Sequence, residues 1–120
     1  MEQIKFARSG LITSRIGLGT WAMGGWMWSG TDEAQSIATI RSAIDCGVTL
    51  IDTAPVYGFG RSEEIVGKAL EGSLRQKVTI ATKVGLAWKD DTVYRDPRPA
   101  RLRKEVEDSL RSTNFGHMRA

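Results

Sequence analysis

The sequence has one cysteine and one histidine among its 120 residues, and it contains no long apolar run. Because a single thiol cannot form an internal disulfide, Cys46 indicates a reducing compartment, and we predict a cytoplasmic protein. No stretch approaches the roughly 20 apolar residues that a membrane-spanning helix needs. The first ten residues also lack an apolar signal segment. These absences argue against secretion and against insertion into a membrane.

Concentrated charge of one sign is also absent. The chain has 17 Lys and Arg residues against 14 Asp and Glu residues, which gives a net charge of +3 with the two signs mixed along the sequence. Binding to nucleic acid or to a membrane surface usually uses a concentrated basic patch, so we predict neither partner. With 41% hydrophobic and 26% charged residues, the composition is typical of a folded domain. We treat residues 1–120 as part of a single domain.

Short β-rich runs alternate with helical runs along the chain. Residues 4–6 and 11–13 flank Ser9 and Gly10, which predicts an N-terminal hairpin. Three further apolar runs predict strands over residues 16–20, 48–51 and 78–82. The glycine- and tryptophan-rich stretch 21–30 and the polar stretch 89–99 have no helical or strand period, so we predict loops there.

A helix is predicted after each of these three strands. The first begins at an N-cap Thr31, carries an apolar stripe and stops at Gly47; the stripe consists of Ile37, Ile40 and Ile44. The second begins at Ser62 and stops at Gly72. The third begins near Pro99; its apolar face is predicted to carry Leu102, Val106 and Leu110, and its wet side the pairs Arg101–Glu105, Arg103–Glu107 and Lys104–Asp108.

The spacing of the strands indicates the fold class. They begin at residues 16, 48 and 78, a regular repeat of about 30 residues that is typical of βα units in a parallel α/β sheet. An open doubly wound sheet and a (β/α)8 barrel both fit this pattern. A barrel needs eight units and typically about 250 residues. On the barrel interpretation the chain therefore holds a hairpin and the first three βα units.

A glycine motif favours the open sheet only weakly. Gly17, Gly19 and Ala22 match the pattern G-x-G-x-x-A of dinucleotide-binding folds. That fingerprint works only where the glycines open a helix whose N-terminus meets the pyrophosphate. Here a loop follows instead of a helix. A nucleotide-binding domain of the doubly wound class remains the alternative from the bare pattern.

Polar residues stand where the predicted strands end. Asp52 follows the second strand, Tyr57 lies five positions later, and Lys83 ends the third strand. The carboxyl ends of parallel strands meet at one rim, so we expect these side chains to converge. An ammonium fixed beside a phenol makes the phenol more acidic, and such a phenol can give a proton to a carbonyl oxygen. Each residue alone also has a structural interpretation, as a turn former, a rim aromatic or a surface lysine.

Three sequence runs together resemble the aldo-keto reductases. They are IGLGTW at 16–21, LIDTAPVYG with GRSEEIVG over 50–67, and IATK at 80–83. The longer run GTWAMGGWMWSGTDEA is similar to bacterial general-stress-type members. The resemblance implies the parallel (β/α)8 TIM-barrel fold, closed at its bottom by the hairpin. It also implies reduction of an aldehyde or ketone, a small-molecule carbonyl substrate, with NADPH as the cofactor.

The resemblance further implies roles for individual residues. Tyr57 matches the proton donor, Lys83 the lysine that makes this donor more acidic, and Asp52 the partner of that lysine. The implied cofactor-binding residues are Gly19, Thr20, Trp21 and Asp52. The implied walls of the substrate pocket are Trp21, Trp26, Trp28 and Trp88, the last three on loops after strands. No metal site is predicted.

The chain departs from the family after Arg111. The family has a catalytic histidine after its fourth strand, but no β-rich run precedes His117, so we do not transfer that role. The tail 112–120 is atypical, and we expect a truncated and poorly active reductase. The alternative is a non-catalytic cofactor-binding or regulatory protein of the same fold. Uncovered sheet edges would also favour self-association.

Overall fold

A computed structural model describes residues 1–114; residues 115–120 of the atypical tail, which include His117, lie outside this range. Within it, the β-strands are β1 (Gln3–Lys5), β2 (Ile12–Ser14), β3 (Leu18–Gly19), β4 (Leu50–Asp52), β5 (Thr79–Ala81), β6 (Leu86–Lys89) and β7 (Thr92–Arg95). The α-helices are α1 (Glu33–Asp45), α2 (Arg61–Ala69) and α3 (Pro99–Ser112), and short 3-10 helices cover Ala7–Ser9, Trp21–Gly24 and Gly72–Lys77.

The predicted N-terminal hairpin is confirmed. Strands β1 and β2 pair antiparallel, with Ile4 opposite Thr13. The hairpin is fastened to the segment before β4 by two reciprocal bonds. The Ser14 N–H donates to the Thr49 hydroxyl at 2.7 Å, and the Thr49 N–H donates to the Ser14 hydroxyl at 2.8 Å. It therefore sits at the amino end of the parallel strands, opposite the rim where they end.

The parallel βα arrangement is also confirmed. Strands β3, β4 and β5 form a sheet in that order, and both neighbouring pairs are parallel. Helices α1 and α2 pack on it because their apolar faces need burial. The core cluster consists of Ile40, Ile51, Ile65, Val66, Ala69 and Leu70, each no more than 1% exposed. This core fixes the strand ends against the helices.

The start of α1 differs from the prediction by one residue. Asp32, not Thr31, is the N-cap, and its carboxylate accepts from the Gln35 N–H at 2.9 Å. A carboxylate suits this position because it also meets the positive end of the helix dipole. Thr31 instead places its hydroxyl 3.3 Å from the hydroxyl of Ser36.

Two segments predicted as loops contain regular structure. Strands β6 and β7 form an antiparallel hairpin over residues 86–95, which overlaps the first part of the predicted loop 89–99, with Lys89 opposite Thr92. Its two-residue turn is possible because Asp90 adopts a positive φ of 52°, which aspartate tolerates better than most residues. Residues 21–24 form a 3-10 helix that begins the loop after β3.

Helix α3 buries a different face from the predicted one. The predicted apolar residues Leu102, Val106 and Leu110 are only half-buried, whereas Glu105 and Ser109 are buried. The Arg101–Glu105 pair forms at 3.1 Å, but its carboxylate points inward and is not on the wet side. Glu105 points inward because its carboxylate accepts a hydrogen bond of 2.6 Å from the Gly85 N–H.

Candidate active site

The carboxyl ends of β4 and β5 bring Asp52 and Lys83 together. Asp52 lies between Gly19 of β3 and Ala81 of β5 in the sheet register. Two residues beyond Ala81, the Lys83 ammonium donates to both carboxylate oxygens of Asp52, at 2.9 and 3.0 Å, and to the Thr53 carbonyl at 2.9 Å. Three acceptors match the three N–H bonds of an ammonium, so its position is fixed.

Tyr57 lies against the same ammonium. The Lys83 Nζ is 4.9 Å from the centroid of the Tyr57 ring. Partial burial lowers the pKa of the Lys83 ammonium, but its interactions with Asp52 and Tyr57 act in the opposite direction and outweigh it. The pKa of Lys83 is therefore above its ordinary value. The structure thus brings all three predicted residues to one place, with a lysine that stays cationic at neutral pH.

The turn that carries Tyr57 is held against the loop after β3. Within the turn, the Tyr57 backbone N–H donates to the Ala54 carbonyl at 3.1 Å. Gly58 adopts a positive φ of 66°, and a Cβ there would overlap the carbonyl of Gly24. The two glycines therefore let two backbones touch where any side chain would force them apart. This contact fixes the height of Tyr57 at the rim.

The four predicted pocket tryptophans fall into two groups. Trp21 stacks on Tyr57 with ring centroids 6.0 Å apart, and Trp28 meets Trp21 edge-on at 5.8 Å. Trp26 and Trp88 belong to a second group, in which both contact Phe59 at 5.2 and 5.6 Å. Trp88 was expected on a loop after a strand, but it lies on strand β6 of the hairpin that the sequence analysis did not predict.

Phe59 is the aromatic residue that sequence reasoning missed. It joins Trp26 to Trp88, and it holds a positive φ of 55° that bulky residues seldom adopt. The available signal was its place between Gly58 and Gly60 directly after Tyr57. Two glycines around one large aromatic residue indicate a sharp turn that aims the ring.

The cofactor residues implied by the resemblance differ in what they expose. A Cβ at Gly19 would meet no atom within 4 Å, so the space above this strand end is open beside Asp52. The Trp21 indole is 45% exposed. Thr20 is fully buried, and its hydroxyl donates to the Asp52 carbonyl at 3.0 Å, so Thr20 supports the strand end and offers no open surface to a ligand. Open backbone next to an exposed indole fits a flat ring such as a nicotinamide.

Together the fold and this rim define the class of protein. A hairpin precedes parallel βα units, and an acid, a phenol and an amine meet at the carboxyl ends of the strands, which is the active-site face of (β/α)8 barrels. Among the described residues, none of the helices is both long and apolar enough to cross a membrane. The model of the Aldo/keto reductase family matches residues 15–118, and the chain belongs to this family.

Similar proteins agree with the assignment. The chain is 58% identical over 112 residues to aldo-keto reductase YhdN of Bacillus subtilis (strain 168), an alignment that covers 92% of this chain and 34% of that protein. It is 42% identical over 130 residues to the NADH-specific methylglyoxal reductase of Escherichia coli (strain K12), covering 98% of this chain and 40% of that protein. The chain thus spans between a third and two fifths of the length of these curated relatives.

Solved structures give the same fold. The glycerol dehydrogenase AKR11B4 from Gluconobacter oxydans has a TM-score of 0.84 at 50% identity, with 97% of this chain and 37% of that chain covered. An aldo-keto reductase from Klebsiella pneumoniae in complex with NADPH has a TM-score of 0.71 at 31% identity, with 98% of this chain and 38% of that chain covered. The fold is that of the (β/α)8 aldo-keto reductase barrel, of which this chain corresponds to the hairpin and the first three βα units.

Proposed function

We propose that this chain supplies the proton-transfer part of an NADPH-dependent reductase that converts aldehydes or ketones to alcohols. The observation that carries the proposal is the Lys83 ammonium, which contacts both oxygens of Asp52 and lies 4.9 Å from the ring of Tyr57. Family membership over residues 15–118 supports it. No other titratable cluster of the described rim has a phenol beside a fixed cation.

Tyr57 is the proposed proton donor. When hydride reaches the carbonyl carbon of the substrate, the carbonyl oxygen gains electron density and takes the phenolic proton of Tyr57. The phenolate that remains is stabilised by the Lys83 ammonium and regains a proton from solvent. Asp52 holds that ammonium and keeps it charged. The carbon thus gains a hydride, the oxygen gains a proton, and the product is an alcohol.

A bound nicotinamide cofactor would supply the hydride. Gly19 and the exposed Trp21 are the residues of this chain that would hold its ring, with the buried Thr20 supporting them from beneath. The Klebsiella pneumoniae structure in complex with NADPH supports NADPH as the cofactor. The Escherichia coli relative is named for NADH instead, so both cofactors belong in the assay.

The aromatic side chains indicate the kind of substrate. Trp21 and Trp28 form an exposed apolar wall beside Tyr57. Such a wall would shield a small carbonyl compound from water while Tyr57 protonates its oxygen. We therefore propose a small-molecule carbonyl substrate with apolar surface next to the reacting group.

A chimera tests the proton-donor assignment. Residues 1–114 of this chain would replace the matching segment of Bacillus subtilis YhdN, which completes the barrel, and oxidation of NADPH and NADH would be followed with a panel of aldehydes and ketones. Tyr57→Phe should lower kcat/KM by at least about 100-fold, since a positioned proton donor is typically worth that much. Tyr94→Phe is the matched control, because Tyr94 is exposed on β7. Equal rates in the chimera and its Tyr57→Phe variant would remove the assignment.

A further inference from the structure

Three buried hydroxyl groups lie directly beneath the rim. Thr20, Thr53 and Ser62 come from the ends of β3 and β4 and from the first turn of α2, and none of them is exposed. The Ser62 hydroxyl lies 2.7 Å from the hydroxyl of Thr20 and 3.1 Å from that of Thr53. Ser62 is therefore the centre of the cluster.

The cluster has one arrangement of protons that satisfies every hydroxyl. The Thr20 hydroxyl donates to the carbonyl of Asp52 at 3.0 Å. Ser62 donates to Thr20, whose hydroxyl and carbonyl oxygens lie 2.7 and 3.0 Å away. Thr53 then donates to Ser62. Each hydroxyl carries one proton and uses it once, so the bonds run in one direction toward Asp52 and reinforce one another.

Ser62 is linked to each residue of the proposed acid–base set. Its backbone N–H donates to the Tyr57 carbonyl at 3.1 Å. Through Thr20 it reaches Asp52, because both the N–H and the hydroxyl of Thr20 bond to the Asp52 carbonyl. Through Thr53 it reaches Lys83, because the ammonium donates to the Thr53 carbonyl at 2.9 Å.

We propose that Ser62 is a positioning residue, which sets the placement of Asp52 and Lys83 through this buried hydroxyl cluster and that of Tyr57 through its backbone N–H. An alanine would fill nearly the same space without the cost of burying a hydroxyl. The Ser62 hydroxyl therefore contributes directed hydrogen bonds rather than side-chain volume. The inference rests on the proposed function, because placement of the three residues matters only if they carry the proton transfer.

A second buried serine provides a matched control. Ser36 lies in the first turn of α1, as Ser62 lies in the first turn of α2, and it is 8% exposed. Its hydroxyl contacts only that of Thr31 among the bonds of the described chain, at 3.3 Å. Ser36→Ala therefore removes a similar group from a similar helix position without touching the rim.

The titration of Lys83 in the 120-residue chain is the readout, because the Lys83 pKa depends on the placement of Asp52 and Tyr57. Lysine side-chain NMR would follow it, with the Lys83 signal assigned by Lys83→Arg and folding checked by circular dichroism. In Ser62→Ala the Lys83 midpoint should move to lower pH, since the pair with Asp52 is less well held. In Ser36→Ala it should stay where it is in the parent chain. An unchanged midpoint in folded Ser62→Ala would overturn the proposal.

Ser62→Cys covers the case in which the alanine variant does not fold. The thiol keeps the volume but is a weak donor, so the same downward movement of the Lys83 midpoint is expected. If neither variant folds, Ser62 serves the fold and the proposal is overturned. If instead the proposed function is wrong, kcat/KM of the chimera stays unchanged in Tyr57→Phe, whether or not the Lys83 midpoint moves in Ser62→Ala.

Discussion

The first turn of α2 separates two buried polar regions that are built on different chemistry. Ser62 faces the rim side, where Thr20 and Thr53 complete a cluster of neutral hydroxyls. The next residue, Glu63, faces the α3 side, where its carboxylate accepts from the Thr82 hydroxyl at 2.7 Å. Both residues are buried, so one turn of helix supplies a polar group to each side of the sheet end.

The two regions differ in how they depend on pH. Neutral hydroxyls keep the same hydrogen bonds across the physiological range. Burial raises the pKa of Glu63, and the charges of Asp108 and Glu105 act in the same direction, while hydroxyl groups only partly offset them. The neutral cluster therefore lies beneath Asp52, Tyr57 and Lys83, whereas the buried carboxylate with a raised pKa lies at the interface between α2 and α3. A site that depends on one proton is better supported by groups that do not titrate.

The largest expected effect comes from the rim side. Gly58→Ala adds a methyl group that overlaps the Gly24 carbonyl at a positive φ of 66°, so the loss of unfolding free energy should be at least about 3 kcal/mol. Gly10→Ala is the control, because Gly10 has a similar φ of 74° but open space around it, and it should lose about 1 to 2 kcal/mol. Denaturant unfolding measures both. Equal losses would show that the positive φ alone accounts for the cost and that the close approach of Gly58 to Gly24 adds nothing to it.

A smaller loss is expected on the α3 side. Glu105→Ala leaves the half-buried Gly85 N–H without its acceptor and frees Arg101. We expect a loss of about 1 to 2 kcal/mol in unfolding free energy, toward the lower part of the range for an unsatisfied donor because Gly85 is only half-buried. Glu107→Ala on the exposed face of the same helix should change stability by less than about 0.5 kcal/mol. Similar values for both variants would mean that the inward face of α3 is not held by Glu105.

The subtlest effect is a difference in pH dependence. The folded pKa of Glu63 lies above the ordinary value of 4.5, so the folded state holds this proton more tightly, and the associated stability is present below about pH 4.5 and lost as pH rises through the folded pKa. Glu63→Gln removes that loss and keeps an acceptor for Thr82. The variant should therefore gain stability relative to the parent between pH 4 and pH 7 in thermal unfolding. A constant difference across this range would contradict the raised pKa.

Several parts of the protein could be predicted from local sequence. The βα repeat, the apolar stripe around Ile40 and the hairpin before the barrel follow from periods of 3.6 and 2 in short windows. The strand-end argument also brought Asp52 and Lys83 to the same rim, because parallel strands end on one side of a sheet. The inward turn of Glu105 and the β6–β7 hairpin were missed, since a buried carboxylate and a polar strand break the pattern of apolar inside and polar outside.

The sequence by itself determined the family, the parallel arrangement and the choice of the three proposed acid–base residues, because each follows from a short motif or from the end of a predicted strand. Only the tertiary structure decided that Thr20 is buried beneath the rim, that Phe59 bridges two tryptophans and that Ser62 is linked to Asp52, Tyr57 and Lys83. The physical reason is that hydrogen bonds and ring contacts such as Ser62 with Thr20 join residues about 40 positions apart. No local pattern records which of several hydroxyls will meet when strands and helix close on one another.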